Sequence, residues 1–135
     1  MPTLGVCGDN CDECPRGIAT RTGDAKLLEE TLALWIRSGL RPAGTPAESL
    51  LCNGCASSEA CAYSKQRSCA LGRHIDNCGL CGDYPCGMVK QAFDQSDELA
   101  ARCRETCGHD DFRRMEAAFF RKKQNLDAVN RRRSA

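Results

Sequence analysis

A chain of 135 residues carrying 19 Lys and Arg against 18 Asp and Glu is one domain's worth of polymer, and its near-zero net charge is not that of the usual disordered chain. Leu, Ile, Val and Phe total 22 residues, below the one-fifth level at which an apolar core carries a fold unaided. The 12 cysteines are the obvious remedy, as disulfides or as metal ligands.

Residues 1–21 read as a cysteine-rich knuckle punctuated by Gly and Pro. Thr22-Gly23-Asp24 then offers an N-cap. Leu28, Leu32, Trp35 and Ile36 recur at helical spacing before Gly39, which predicts an amphipathic helix over about residues 24–38. Trp35 lies in that stripe and reads as a core anchor. Residues 40–50, LRPAGTPAESL, read as a linker or loop. Cys52-Asn53-Gly54-Cys55 forms a second knuckle. Ser57 or Ser58 is expected to cap a short helix through Leu71, with Gly72 ending it.

A third knuckle, Cys78-Gly79-Leu80-Cys81-Gly82, leads into Asp83-Tyr84-Pro85-Cys86, where a helix should begin near Cys86. A further helix is predicted from Ser96-Asp97-Glu98 to Gly108. The last runs from about Asp110 into the 120s and frays in NRRRSA. No alternating apolar pattern predicts a sheet, although short knuckle hairpins fit. The expected fold class is mainly α: a small cysteine-rich domain with zinc-knuckle-like loops between short helices. Residues 1–95 form the metal-binding domain and 96–135 a C-terminal helical extension with a basic tail.

The opening MPTLGVCGDN lacks the basic and apolar regions of a signal peptide, and no run approaches the length of a membrane span. The expectation is a cytoplasmic protein, whose clustered thiols stay reduced and bind metal. A C-x2-C turn brings two sulfurs within reach of one tetrahedral ion, and Gly54, Gly79 and Gly82 suit the left-handed backbone of such knuckles. Cys86, in a helix's first turn, suits either a metal ligand or a reactive thiolate, the ligand being favoured among so many metal-type cysteines. The C-x3-C-x2-C spacing of Cys7, Cys11 and Cys14 is shared by radical-SAM enzymes. Those are usually built on barrels of roughly 250 residues, so length argues against that reading. The ferredoxin spacing C-x2-C-x2-C-x3-C-P is absent.

CGDNCDECP, Trp35, CNGC, Arg67-Ser68-Cys69-Ala70 and CGLCGDYPC follow one another in an order that resembles a known family. This is the cysteine-rich domain of unknown function 3795, found in bacteria and archaea and frequent in anaerobes. The resemblance covers about residues 5–95 and implies metal binding but no reaction. The chain departs from the family pattern at Ser64, where a second cysteine often stands, and at Gln66, where an apolar residue precedes the Arg. Serine is a poor ligand for zinc or a cluster.

The candidate ligands are Cys7, Cys11, Cys14, Cys52, Cys55, Cys61, Cys69, Cys78, Cys81 and Cys86. One grouping puts the first three with Cys52 and Cys55, and draws a second site from Cys69, Cys78, Cys81 and Cys86; spacing does not fix it. Cys103, Cys107 and His109 could add a third site, but two helix thiols facing the core and a histidine beside a helix end is the favoured reading. His74 reads as a surface or capping residue. Residues 113–135 hold eight Lys or Arg against two acids. A solvated or docked basic helix is favoured there over a nucleic-acid contact.

With two histidines and no phosphate-binding glycine loop, no catalytic constellation emerges, and the reading leans away from an enzyme. The function expected is a binding or adaptor module, serving a protein or nucleic-acid partner, on two structural four-cysteine zinc sites. An iron–sulfur redox protein is the alternative, and metal transfer or thiol redox chemistry the third.

Overall fold

The computed structural model describes residues 3–55 and 63–134 of the chain. The predicted cap at Ser57 or Ser58, and Cys61, lie outside the described residues. As expected, the architecture is helical. Among the described residues, extended pairing is limited to an isolated antiparallel bridge between Leu4 and Asn10.

Helix α1 spans Pro15–Thr22, where only a knuckle was expected. Pro15 occupies its first turn, where a missing N–H costs nothing, and Gly23 ends it in the left-handed conformation with φ 68°. Helix α2 spans Ala25–Arg37, capped by Asp24, whose carboxylate accepts the Leu27 N–H at 3.0 Å. The tight turn folds α2 back on α1. Leu28, Thr31, Leu34 and Trp35 are its buried residues, so the inward face is rotated from the predicted stripe, and Leu32 and Ile36 lie half-buried at its margin.

The proline-containing segment after α2 is more than a spacer. It ends in a 3₁₀ turn, Ala47–Leu50, that seats Leu50 in the interior with no exposure. Helix α3 spans Ser64–Gly72 and helix α4 spans Gly87–Thr106. The helix start predicted at Ser96 does not exist. Ser96 is buried midway along α4, where its hydroxyl donates to the Phe119 carbonyl at 3.1 Å and accepts from Lys122 Nζ at 2.9 Å. Ser-Asp-Glu resembles a cap in sequence, but here Ser96 turns inward while Asp97 and Glu98 face solvent. Conversely, the single last helix predicted from Asp110 is two. Helix α5 spans His109–Phe119 and helix α6 spans Lys122–Ser134, with Phe120 leaving helical geometry between them. The break lets Phe119 and Phe120 pack on one core while Leu126 enters another.

Those two cores are small. One gathers Ala19, Leu28, Leu34, Trp35, Leu50, Cys103 and Met115; the other Val6, Ala70, Cys78, Val89 and Leu126. Helix α4 gives Val89 to the second and Cys103 to the first, running through the point between residues 95 and 96. Helix α6 lies against the 3₁₀ turn Cys78–Leu80. It approaches so closely that a Cβ on Gly79 would stand 2.8 Å from the Leu126 carbonyl oxygen. That contact, and not a left-handed backbone, is what glycine provides at Gly79. Of the three knuckle glycines singled out, Gly54 alone has a positive φ, at 100°.

Candidate metal centres

Two groups of cysteines from separate segments converge on two cavities. The first, of about 170 Å³, is lined by Cys7, Cys11, Cys14, Cys52 and Cys55. Cys7 sits in a turn held by Gly5 N–H to Asp9 O at 2.9 Å and Gly8 N–H to Gly5 O at 3.0 Å. Cys14 is the N-cap residue of α1. Cys52 is drawn in when its N–H donates to Thr20 Oγ1 at 3.0 Å, and the Val6 N–H points to Cys55 Sγ at 3.4 Å. The Arg67 guanidinium also donates to the Cys55 carbonyl. Gly5 keeps the wall clear, because a Cβ there would lie 3.2 Å from Cys55 Sγ and 3.6 Å from Cys11 Sγ.

Burial disfavours the thiolate form of three of these residues, Cys7, Cys11 and Cys14. Burial, then the charges of Cys55, Cys14, Asp9 and Cys52, push Cys11 up to about 12. Burial and Asp9 raise Cys7 well above the ordinary thiol range. Burial raises Cys14 as well, opposed by the N–H groups of Gly17 and Arg16 in the first turn of α1. These three sulfurs therefore lie where burial and neighbouring negative charge oppose ionisation and a positive charge would favour it.

The second cavity, of about 300 Å³, is lined by Cys69, Cys78, Cys81 and Cys86. Cys69 comes from α3 and Cys86 is the N-cap residue of α4. Cys78 opens the 3₁₀ turn, where Asn77 Oδ1 accepts the Gly79 N–H at 3.0 Å. Three donors already face these sulfurs: Arg73 Nη1 at 3.0 Å and Asp83 N–H at 3.4 Å from Cys81 Sγ, and Gln66 Nε2 at 3.7 Å from Cys78 Sγ. Arg73 also pairs with Asp83 at 2.9 Å. Burial pushes Cys78 up to about 11, with Gln66 opposing and Cys86, Cys69 and Cys81 adding to the rise. Sequence reading noted Gln66 as a departure from a pattern. Its hydrogen bond to sulfur becomes visible only when α3 is packed.

A backbone hydrogen bond links the loops of the two cavities. The Cys78 N–H donates to the Val6 carbonyl at 3.0 Å, joining the second loop to the residue before Cys7. Cys61 lies outside the described residues. Cys103 is fully buried in the first core, and Cys107 Sγ lies 3.2 Å from Ser38 Oγ. His109 is exposed at the start of α5, and His74, also exposed, has φ 57°. Among the described residues, no three or more Cys, His, Asp or Glu side chains already have metal-holding geometry. The sulfurs ring each cavity rather than closing on one point. The donor chemistry nonetheless fits a thiophilic cation, since at least four sulfurs line each cavity.

The chain is thus a small helical domain with two cysteine-lined cavities. The family model described as "Protein of unknown function (DUF3795)" matches residues 3–91, and the chain belongs to that family. No curated protein matches. No solved structure matches either.

Proposed function

We propose that this chain is a metal-binding protein with two four-cysteine zinc centres, acting as a binding or adaptor module for a protein partner. The observation that carries the reading is the convergence, on two cavities, of cysteines far apart in sequence. Cys69, Cys78, Cys81 and Cys86 would hold one ion, with Arg73, Gln66 and the Asp83 N–H bearing on the sulfurs. Four of Cys7, Cys11, Cys14, Cys52 and Cys55 would hold the other. Zinc held by four thiolates is a closed, structural centre that supplies folding energy, of order ten kcal/mol per site. A reducing compartment such as the cytoplasm suits so many free thiols. No described helix is long and apolar enough to cross a membrane.

Anaerobic purification without added metal, followed by an absorption spectrum and elemental analysis of the same sample, tests this. The expected result is a colourless protein with about two zinc ions per chain. A brown protein containing iron and sulfide overturns the zinc reading and makes the chain a redox protein, while a folded protein free of metal removes both.

A further inference from the structure

Cys103 and Cys107 line neither sulfur cavity and lie beyond the residues that the family model matches. They stand together at one corner of the fold, where α4 ends and α5 begins.

The Cys107 N–H donates to the Cys103 carbonyl at 2.8 Å, closing the last turn of α4. Four residues of helical rise put the two α-carbons about 6 Å apart, inside the span of roughly 4.4–6.8 Å that a disulfide bridges. The two thiols are in hydrogen-bond contact, and the buried Ser38 hydroxyl reaches both. Cys107 caps α4 with φ −104° and ψ 150°, so its backbone has left the helix. A small movement that joins the sulfurs therefore falls at a corner and not within a helical turn. Access is unequal. Cys103 has no exposure, whereas Cys107 is half-buried. Burial, then the charge of Cys107, push Cys103 up to about 11. An incoming reagent meets the outer thiol, with the inner one at its back.

We propose that Cys103 and Cys107 are a redox-active thiol pair that closes to an intrachain disulfide on reaction with a low-molecular-weight disulfide, Cys107 attacking and Cys103 resolving. Cys107 gives its proton to water, and its sulfur bonds to one sulfur of the reagent. The reagent's S–S bond breaks, and its other half leaves as a thiolate that takes up a proton. Cys103 then loses its proton, bonds to Cys107 Sγ and expels the second half as a thiol. The pair gives up two electrons and two protons, and the reagent is reduced to two thiols. In a reducing compartment such a bridge is transient, as redox-sensing disulfides are. The inference goes beyond the metal reading and does not depend on it.

The full chain, as purified, is incubated with excess oxidised glutathione, quenched in acid, alkylated and digested with trypsin. Arg104 lies between the two cysteines, so the bridge joins two tryptic peptides that are otherwise separate. Mass spectrometry is expected to find that linked pair, lighter by two hydrogens than the sum of the free peptides. Cys103→Ser should stop at the first step and keep glutathione on Cys107, while Cys107→Ser should leave Cys103 unmodified. No Cys103–Cys107 linkage in the folded chain overturns the proposal, as does a linkage that appears only in urea. A zinc ion that wild type retains and Cys107→Ser loses would make the pair a metal site and is also fatal. The wild-type linkage decides the matter even if Cys103→Ser fails to fold.

Discussion

Lys122 carries its ammonium inside the protein, 3 % exposed, and meets Asp9 Oδ1 at 2.5 Å. The Phe119 carbonyl accepts from it at 2.7 Å, and the Tyr63 ring lies 5.0 Å away. This residue belongs to the basic run Arg121-Lys122-Lys123, whose charges in sequence look available to phosphates. Burial withdraws Lys122 from such a role. Burial opposes its charge, but Asp9 and Cys7 outweigh that and hold its pKa above the ordinary lysine value. Burial shifts Asp9 the other way from a free carboxylate, upward, against the pull of Lys122.

A raised folded pKa on a cation stabilises fully below the unfolded value and is lost as pH rises through the folded one. The Lys122 contribution should thus persist through neutrality and fade above the ordinary lysine range. Lys122→Met leaves the buried Asp9 carboxylate uncompensated and should cost about 3–5 kcal/mol. Urea unfolding at neutral pH checks the cost. Repeating it at rising alkaline pH should show wild type losing stability that the variant no longer has to lose. Gln66 makes a second test at this scale. Gln66→Leu removes the donor to Cys78 and should weaken metal retention at the second centre by about 10–100-fold in a chelator competition, with helix content unchanged.

Helix α6 ties the two cysteine loops together. Asn125 Nδ2 donates to the Gly8 carbonyl at 2.9 Å and Asn130 Nδ2 to the Gly79 carbonyl at 3.1 Å. A Cβ on Gly8, whose φ is 95°, would stand 2.8 Å from the Lys122 carbonyl oxygen, much as one on Gly79 would meet that of Leu126. Both loops are therefore moulded to this helix's backbone. Truncation after Arg121 should remove Lys122, Leu126 and both asparagines at once and abolish cooperative thermal unfolding. Truncation after Arg131 leaves all of these contacts and should be tolerated. Gly79→Ala forces α6 away and should lower the unfolding midpoint while Gly72→Ala, which meets nothing within 4 Å, should not.

Across the whole molecule, the apolar interior is divided into two modest clusters, and each has thiols at its edge or within it. Conformational entropy over a chain of this length is of order 100 kcal/mol or more, so small cores leave little margin. On the proposed reading, metal binding is then part of folding. Stripping the metal with a chelator should collapse the helical circular dichroism signal. Cys11→Ser and Cys81→Ser should each unfold the chain or lower its midpoint sharply; folded, equally stable serine variants would sink the structural role of these centres. Because Val6 and α6 join the two loops, loss of one centre should weaken the other, visible as a single chelator-driven transition rather than two.

Local chemistry made much of this legible in the sequence. The Asp24 cap and Gly39 bracket α2, Cys86 stands at the N-terminus of α4, and C-x2-C turns announce themselves because their geometry is set within four residues. Cys7, Cys11, Cys14, Cys52 and Cys55 line one cavity, and Cys69, Cys78, Cys81 and Cys86 the other. What local chemistry could not decide was which polar residues turn inward. Ser96 looks like a cap and is a buried joint in one long helix; Lys122 looks like a surface charge and is a buried ion pair; Leu50 sits in apparent linker and fills a core. Each owes its place to a partner distant in sequence: Phe119 for Ser96, Asp9 for Lys122, Arg16 for Leu50. The helical class and the cysteine-rich loops follow from neighbouring residues and so were readable before any packing was known. The inward faces and the seat of α6 came from packing, because burial is set by whatever packs against a segment and not by the segment alone.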